Sequence, residues 1–203
     1  DLGLFCQWLP LHQMDLATLR SIVQSFLTAY PGGMAMLASN SLQTPVLGLI
    51  GLKGDGRFDP MRLRQRLNAT QLPRPPAAFG IEDELALLGS IVAGPQALKR
   101  FAASAAPNTD DHPVVAYLAP RITYAPDSLP RDRLIALLGE LSVAPTEVLA
   151  PMSDKAWPQR LAAYWSARDR FIEAGRAIHP SSDVHEMLSQ VREPLLAVLR
   201  TSP

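Results

Sequence analysis

The sequence has little of what would cross-link a chain, give it a strong charge or hold it in a membrane. It contains one cysteine, Cys6, which excludes an intrachain disulfide and a cysteine-rich metal site. Basic and acidic residues number 19 each, so the formal net charge is zero. No basic block is present, and nucleic acid needs a clustered cationic surface. No apolar run approaches the ~20 residues of a spanning helix and no signal-peptide pattern is seen, so this stretch is predicted to be soluble.

A glycine-rich cofactor loop is also missing. A doubly wound fold places such a loop directly after its first strand, at the start of a helix. The segment Gly51–Gly56 comes nearest, but it follows a predicted final strand and lacks the Lys-Ser/Thr ending of a phosphate loop. The sequence therefore predicts an ordinary exit loop there, and no cofactor site. Cys6 is predicted to be a small, buried apolar residue.

The first quarter of the chain carries the clearest pattern. Residues 3–10 form a short apolar run, typical of an interior strand covered on both faces in a parallel sheet. Asp15 is a candidate N-cap for a helix that Pro31–Gly33 ends. Met34–Ala38 and Val46–Leu52 follow as two strands, close enough in sequence to pair antiparallel. This order of strand, helix, strand and strand is how a doubly wound sheet could finish.

The rest of the chain is predicted to be helical and divided by prolines. Asp59-Pro60 begins a helix whose arginine group (Arg57, Arg62, Arg64 and Arg66) is interpreted as a solvated face, with anionic lipid or phosphate as the alternative ligand. The further predicted helices are Ile81–Val92, Pro95–Ala103, Leu129–Leu141, Pro145–Leu149, an aromatic stripe from Trp157 to Ile172, and Val184–Leu199.

The aromatic stripe has two interpretations. Trp157, Trp165 and Phe171 are predicted to be buried against the Val184–Leu199 helix, since aromatic stripes usually pack in a core. Ala167, Phe171 and Ala174 also resemble the second helix of a tetratricopeptide repeat. That resemblance is confined to one helix.

The densest polar cluster is Asn108-Thr109-Asp110-Asp111-His112-Pro113. Two carboxylates and an imidazole can serve as metal ligands or acid–base groups. Neighbouring residues point in different directions, however, and Asn, Thr and Asp also make the side-chain-to-backbone bonds of tight turns. The pattern favours a structural turn, then a substrate-facing loop, and a metal site last.

Two segments carry a family resemblance. Gly3–Gln13 resembles a segment late in the sheet of spermidine synthase-like proteins, and it is closest to the bacterial group in which this domain is fused to a membrane-embedded half. Pro107–Pro113, running into Leu118-Ala119-Pro120-Arg121, is similar to the family's Asn-Thr-Asp-Asp-Arg-Pro segment. The likeness covers roughly residues 2–121, and the order and spacing of the two segments agree.

The resemblance implies an α/β fold: the C-terminal portion of a Rossmann-like, methyltransferase-type sheet followed by an all-helical C-terminal region. The expected divisions are the end of the transferase domain (1–58), its helical and proline-rich extension (59–127) and the α-helical C-terminal region (128–203). Because the cofactor turn is missing, we expect a longer parent whose N-terminal half-domain lies outside this chain. The isolated chain should leave a sheet edge unpaired, which favours a homo-oligomer, and should bind no S-adenosyl compound.

In function, the resemblance implies a polyamine aminopropyltransferase. The parent would transfer an aminopropyl group from decarboxylated S-adenosylmethionine, its co-substrate, to a small-molecule amine or polyamine. The implied substrate-binding residues are Gln7, Asn40, Asp110 and Asp111, with no catalytic residue assigned. The parent would be cytoplasmic, held at the cytoplasmic face of the bacterial inner membrane by a segment outside this chain. The alternative is a noncatalytic interaction or regulatory module on a degenerate transferase fold, with the helical tail as its partner-binding surface.

The loop between the last two strands predicts the acceptor. Family members that handle putrescine usually carry a Pro-Thr-Tyr type segment there, whose ring helps to enclose the diamine. Residues 39–45 contain no aromatic residue. The resemblance therefore predicts a protein that uses putrescine poorly or prefers another amine.

Overall fold

The chain is a mixed α/β protein in a computed structural model that describes residues 3–39, 41–53, 56–69, 74–151, 154–176, 178 and 181–200. The strands in these residues are β1 (Leu4–Pro10), β2 (Met34–Ser39), β3 (Val46–Leu52) and β4 (Ile91–Ala93). The helices are α1 (Leu16–Ala29), α2 (Pro60–Ala69), α3 (Glu84–Gly89), α4 (Pro95–Ala102), α5 (Val114–Tyr124), α6 (Pro130–Glu140), α7 (Pro145–Val148), α8 (Ala156–Arg176) and α9 (Val184–Leu199). None of these helices is long and apolar enough to cross a membrane.

The four described strands form one antiparallel sheet in the order β1-β3-β2-β4. β2 pairs with β3 from Met34 opposite Ile50 to Leu37 opposite Leu47, which confirms the predicted antiparallel pair. Because β1 and β2 are both antiparallel to β3, they run parallel to each other, and α1 is the crossover between them. The predicted order of strand, helix, strand and strand is therefore confirmed.

The predicted position of β1 is wrong. Among the described strands β1 has β3 as its one neighbour, so it lies at an edge of an antiparallel sheet and not inside a parallel one. Its Leu4, Phe5 and Trp8 side chains are 63%, 46% and 56% exposed. An apolar run without alternation indicates that both faces of the strand are apolar, but it does not show whether other elements of the protein pack on those faces.

Helix α1 forms where the sequence predicts it. The Asp15 carboxylate accepts a hydrogen bond from the Thr18 backbone N–H at 2.7 Å, which confirms the N-cap. Leu19 and Val23 are fully buried toward the sheet, as their helical spacing predicts. The helix ends at Ala29, just before the predicted Pro31–Gly33 stop.

Two buried clusters cover the two faces of the sheet. Ala35 and its cross-strand partner Leu49 belong to the cluster beneath α1, while Met34 belongs to the other. Since successive strand residues point to opposite faces, the clusters lie on opposite sides of the sheet. Leu134 of the C-terminal region joins the first cluster and Trp165 joins the second. Each core thus draws on more than one of the predicted segments, whose boundaries stay a prediction.

Two elements differ from the predicted helices. The helix expected over Ile81–Val92 is shorter, and its last residues belong to β4, where Ile91 pairs with Met36. A three-residue apolar stretch has no periodicity that separates strand from helix, so tertiary pairing decides it. Helix α5, which includes Pro120, was not predicted.

The tryptophans of α8 are buried as predicted, but not against α9. Trp157 and Trp165 are 4% and 5% exposed and pack with residues of β2, α3, β4 and α7. Trp165 Nε1 donates a hydrogen bond to the Leu88 carbonyl at 3.1 Å. Phe171 is half-buried, and α9 lies beside α8 with several apolar side chains exposed. The predicted packing partner of the tryptophans is therefore wrong.

The buried Glu84 carboxylate should make stability sensitive to acid. Burial alone would raise the pKa of the Glu84 carboxyl. Arg64 opposes this, because its Nε donates a hydrogen bond to Glu84 Oε2 at 3.0 Å and its Nη2 donates a second one to Oε1. The net effect is a pKa of Glu84 below its usual value. A carboxylate with a lowered pKa adds stability above its unfolded pKa of about 4.3. That stability is lost as the pH falls through the folded pKa.

We therefore expect Glu84→Gln to lose less stability than the wild type between pH 5 and about pH 3, measured by urea unfolding at each pH. Glu193→Gln, at an exposed position of α9, is the control and should keep the wild-type pH dependence. Identical pH profiles for wild type and Glu84→Gln would contradict a stabilising role for the pair.

Candidate ligand-binding site

A cavity of about 820 Å³ opens between β1, α1 and α5. β1 lines it with Phe5, Gln7 and Leu9, which share one face because strand side chains alternate. Phe26 of α1 and Tyr30, which directly follows that helix, also line the cavity, and α5 forms the opposite wall. A cleft of this size between packed elements is large enough for a small molecule.

Three aromatic rings form one wall of the cavity. Phe5 and Tyr30 stack with ring centroids 5.5 Å apart and planes 4° apart, and Phe26 lies 5.2 Å from Tyr30. The wall depends on Gly51 of β3, since a Cβ there would lie 2.5 Å from the Tyr30 ring. A strand residue without a side chain is what allows this ring to lie on the sheet.

Replacing Gly51 should disturb this wall. We expect Gly51→Ala to displace Tyr30 and to lower the free energy of unfolding by about 1–2 kcal/mol, because the added methyl group has no free space. Gly32→Ala is the matched control, since a Cβ at Gly32 meets nothing within 4 Å. Chemical denaturation of both variants checks this, and equal stabilities would show that Tyr30 moves without cost.

The polar groups of the cavity are neutral. Gln7 and Gln13 lie near β1, Ser25 on α1, and Asn108 and Thr123 on the side of α5. The described lining residues include no Asp, Glu, Lys, Arg or His. Such a site can hold alkyl groups on its apolar walls, attract an ammonium group to its rings and accept hydrogen bonds from amines.

Asn108 connects the polar cluster to helices α1 and α5 by hydrogen bonds. Its Oδ1 accepts a hydrogen bond from the Val115 N–H at 3.0 Å, at the start of α5. Its carbonyl accepts one from Ser25 Oγ at 2.8 Å, and its N–H donates to the Ser21 carbonyl at 3.4 Å. Asn108 therefore joins α1 to α5 and fixes one end of the cavity.

The following residues form a tight turn. The backbone groups of Thr109 and His112 exchange two hydrogen bonds of 3.1 Å, and Thr109 Oγ1 also accepts from the His112 N–H. Asp110 and Asp111 lie exposed at its tip. No group of three or more His, Cys, Asp or Glu that could hold a metal occurs in the described part of the chain. This geometry is that of a structural turn.

The structure brings together only some of the predicted site residues. Gln7 lines the cavity, whereas Asp110 and Asp111 are exposed and are not among its lining residues. Asn40 lies outside the described residues. Tyr30 is a wall residue that the sequence pattern does not identify, because its ring stacking depends on contacts between segments distant in sequence.

A buried arginine that the sequence did not single out holds the turn after β1. Arg133 of α6 is 5% exposed and donates to the carbonyls of Leu11 at 3.1 Å, His12 at 3.2 Å and Ser128 at 2.7 Å. Residues 11–13 form a short 3₁₀ turn that ends with Gln13 at the cavity. Arg133 therefore positions Gln13 from the C-terminal region of the chain.

No protein-family model, curated protein or solved structure matches this chain. The spermidine synthase-like resemblance therefore stays a prediction.

Proposed function

We propose that this chain is the acceptor-amine side of a spermidine synthase-like aminopropyltransferase. One observation carries the proposal: the two segments that bear the resemblance lie about 100 residues apart in sequence, and both line the same cavity. The first contributes Gln7 and Gln13, and the second contributes Asn108, Ala119 and Pro120. That the two segments line one cavity is a structural observation, and it does not depend on the sequence resemblance of either segment to the family.

The chemistry of the cavity supports an amine ligand. The faces of aromatic rings attract ammonium groups, and Phe5, Phe26 and Tyr30 form such a surface. The amide oxygen of Gln7 can accept a hydrogen bond from an amine N–H. The aliphatic wall of α5 provides apolar contact for the methylene groups of the ligand.

The sheet supports a Rossmann-like, methyltransferase-type parent. Parallel strands β1 and β2, joined by α1, resemble the crossover units of such folds. Among the described strands β1 has β3 as its one neighbour, and it carries exposed apolar side chains. An edge of this kind accepts a further strand. We assign that place to a strand of the cofactor half, which would bind decarboxylated S-adenosylmethionine at the cytoplasmic face of the membrane.

In the proposed reaction, the amine nitrogen attacks the aminopropyl carbon next to the sulfonium. A C–N bond forms, the C–S bond breaks with its electrons moving to sulfur, and the amine loses one proton. The described lining of the cavity holds no group that is basic enough to take this proton, so we assign the base to the cofactor half. The role of this chain is to bind and orient the acceptor.

The acceptor should be an amine other than putrescine. A diamine brings a second ammonium group, and no carboxylate among the described lining residues can pair with it. We expect putrescine to show a kcat/KM at least about 10-fold below that of the best alkyl monoamine. The measurement is aminopropyl transfer to a panel of amines by the protein that carries both halves.

The possible outcomes separate activity from specificity. Preferred transfer to a monoamine supports both, and efficient spermidine synthesis from putrescine contradicts the specificity alone. An absence of transfer to every amine, in a protein that binds decarboxylated S-adenosylmethionine, contradicts the proposed activity.

A second candidate function is the noncatalytic interaction module. It is favoured by α9, on which four exposed apolar side chains recur at helical spacing and form one face: Val184, Leu188, Leu195 and Leu199. Failure of the protein with both halves to bind decarboxylated S-adenosylmethionine would favour this candidate.

A further inference from the structure

Helix α9 carries an apolar stripe that the described part of the chain leaves exposed. Its side chains recur at intervals of four, seven and four residues: Val184, Leu188, Leu195 and Leu199. At 3.6 residues per turn they lie within an arc of about 60°, so they form one narrow stripe along the helix. Helix α8 packs beside α9 and leaves this stripe open. Contiguous apolar surface of this kind indicates an interaction site.

The α9 stripe is symmetric about its own centre. Val184 and Leu199 lie equally far in sequence from a midpoint just after Val191. Leu188 and Leu195 also lie equally far from that midpoint. If two copies of the helix lie antiparallel around a two-fold axis there, residue 184 of each copy is level with residue 199 of the other, and residue 188 with residue 195. A two-fold interface requires a patch that is complementary to itself in this way.

The charges of α9 are complementary in an antiparallel pair. Asp183 and Glu186 lie at the start of the helix, and Arg200 directly follows its end. An antiparallel arrangement brings the acidic start of one helix level with the basic end of the other, whereas a parallel arrangement brings like charges together. Arg192 borders the stripe near its centre, where a side chain of this length can extend into solvent. The distribution of charge therefore favours a second, antiparallel copy of α9 as the occupant.

We propose that the α9 stripe is the interface of a symmetric homodimer, in which α9 pairs antiparallel with α9 of a second copy of this chain. Two helices of about 24 Å share a small contact, so the dimer forms reversibly, in the micromolar range. A membrane surface fits less well, because interfacial helices have a polar face rich in Lys and Arg, whereas the charged residues of α9 have both signs. The interface is independent of the proposed activity, since the described lining of the amine site includes no residue of α9.

Sedimentation of the 203-residue chain between about 1 and 500 μM tests the association. We expect the mass to rise with concentration from the 22.1 kDa monomer to twice that value and no further, because a two-fold interface is closed. Leu188→Glu should weaken association by about 100-fold or more, since a symmetric dimer buries the new charge twice. Leu4→Glu is the matched control, because Leu4 is 63% exposed and Leu188 is 59% exposed. It lies on β1 and should leave the dimer unchanged.

An exchange of charges tests the orientation of the two helices. Chains with Leu188→Glu should pair with chains with Leu195→Lys and recover about 10-fold or more in affinity, because the antiparallel register places these positions level with each other. A mixture of Leu188→Glu and Leu188→Lys chains is the control. It should stay monomeric, because the two copies of position 188 lie about 10 Å apart along an antiparallel pair. Circular dichroism checks that each variant folds.

Four results would overturn the proposed dimer. The first is a wild-type chain that stays monomeric over the whole concentration range. The second is a dimer that Leu4→Glu disrupts and Leu188→Glu does not, which would place the contact at the sheet edge. The third is pairing of the control mixture alone, which would show parallel helices. The fourth is a monomer that binds phosphatidylglycerol vesicles through Leu188, which would identify a membrane surface as the occupant.

Discussion

Trp165→Ala is expected to lower the free energy of unfolding by about 3–5 kcal/mol. The ring is 5% exposed and belongs to a buried cluster with Leu88 and Leu161. Its removal leaves a cavity between α8 and α3, and the neighbouring side chains can close such a space only in part. The Leu88 carbonyl also loses the hydrogen bond that Nε1 donates at 3.1 Å.

Two aromatic controls test the packing of α8. Phe171 is half-buried, so Phe171→Ala should cost clearly less than Trp165→Ala, and Trp8→Ala should cost least because that ring is 56% exposed. Urea unfolding followed by circular dichroism gives all three values. A cost for Phe171→Ala equal to that for Trp165→Ala would contradict the packing seen here and favour a stripe buried against α9.

On the proposed function, Gln7→Ala is expected to reduce kcat/KM for the acceptor amine by about 10- to 150-fold in a protein that joins this chain to the proposed cofactor half. A hydrogen bond to a charged group contributes about 1.5–3 kcal/mol, and this range corresponds to that loss in rate. Gln7 is half-buried on the cavity face of β1, between the exposed Phe5 and the buried Leu9. Its amide is therefore held by the strand rather than by a mobile loop.

Gln65→Ala is the matched control for Gln7→Ala. Gln65 is exposed on α2 and is not among the lining residues of the cavity between β1, α1 and α5. Its replacement should leave kcat/KM unchanged and both variants should unfold at similar urea concentrations. Equal kcat/KM values for the two variants would show that the Gln7 amide does not contact the acceptor amine.

Local signals account for the parts of the fold that could be predicted. The Asp15 cap, the apolar spacing of α1 and the Pro31–Gly33 stop are each contained within a few residues. The short link between β2 and β3 permits the antiparallel pair that forms. The position of β1 at an edge depends on which strands lie beside it, and β4 becomes a strand only because β2 is there to pair with it.

The candidate site was predictable to a similar extent. Gln7 is predicted as a substrate-binding residue by the resemblance alone, and the structure places it in the lining of the cavity. The turn at Asn108–Pro113 follows from the hydrogen bonds that Asn, Thr and Asp side chains make to nearby backbone groups. The side-chain directions of Asp110 and Asp111 were not predictable, because they depend on the turn geometry. The aromatic wall requires Tyr30 to lie on Gly51, a contact between residues 21 positions apart that no local pattern encodes.

The location of the amine tests the central claim most directly. An alkylamine that carries a photoreactive diazirine would be irradiated with the protein, and the modified peptides identified by mass spectrometry. The proposed site predicts adducts in two segments, Phe5–Met14 and Asn108–Tyr124, with both suppressed by an excess of the unmodified alkylamine. Adducts confined to α9, or spread over the surface without competition, would contradict an acceptor site between β1, α1 and α5.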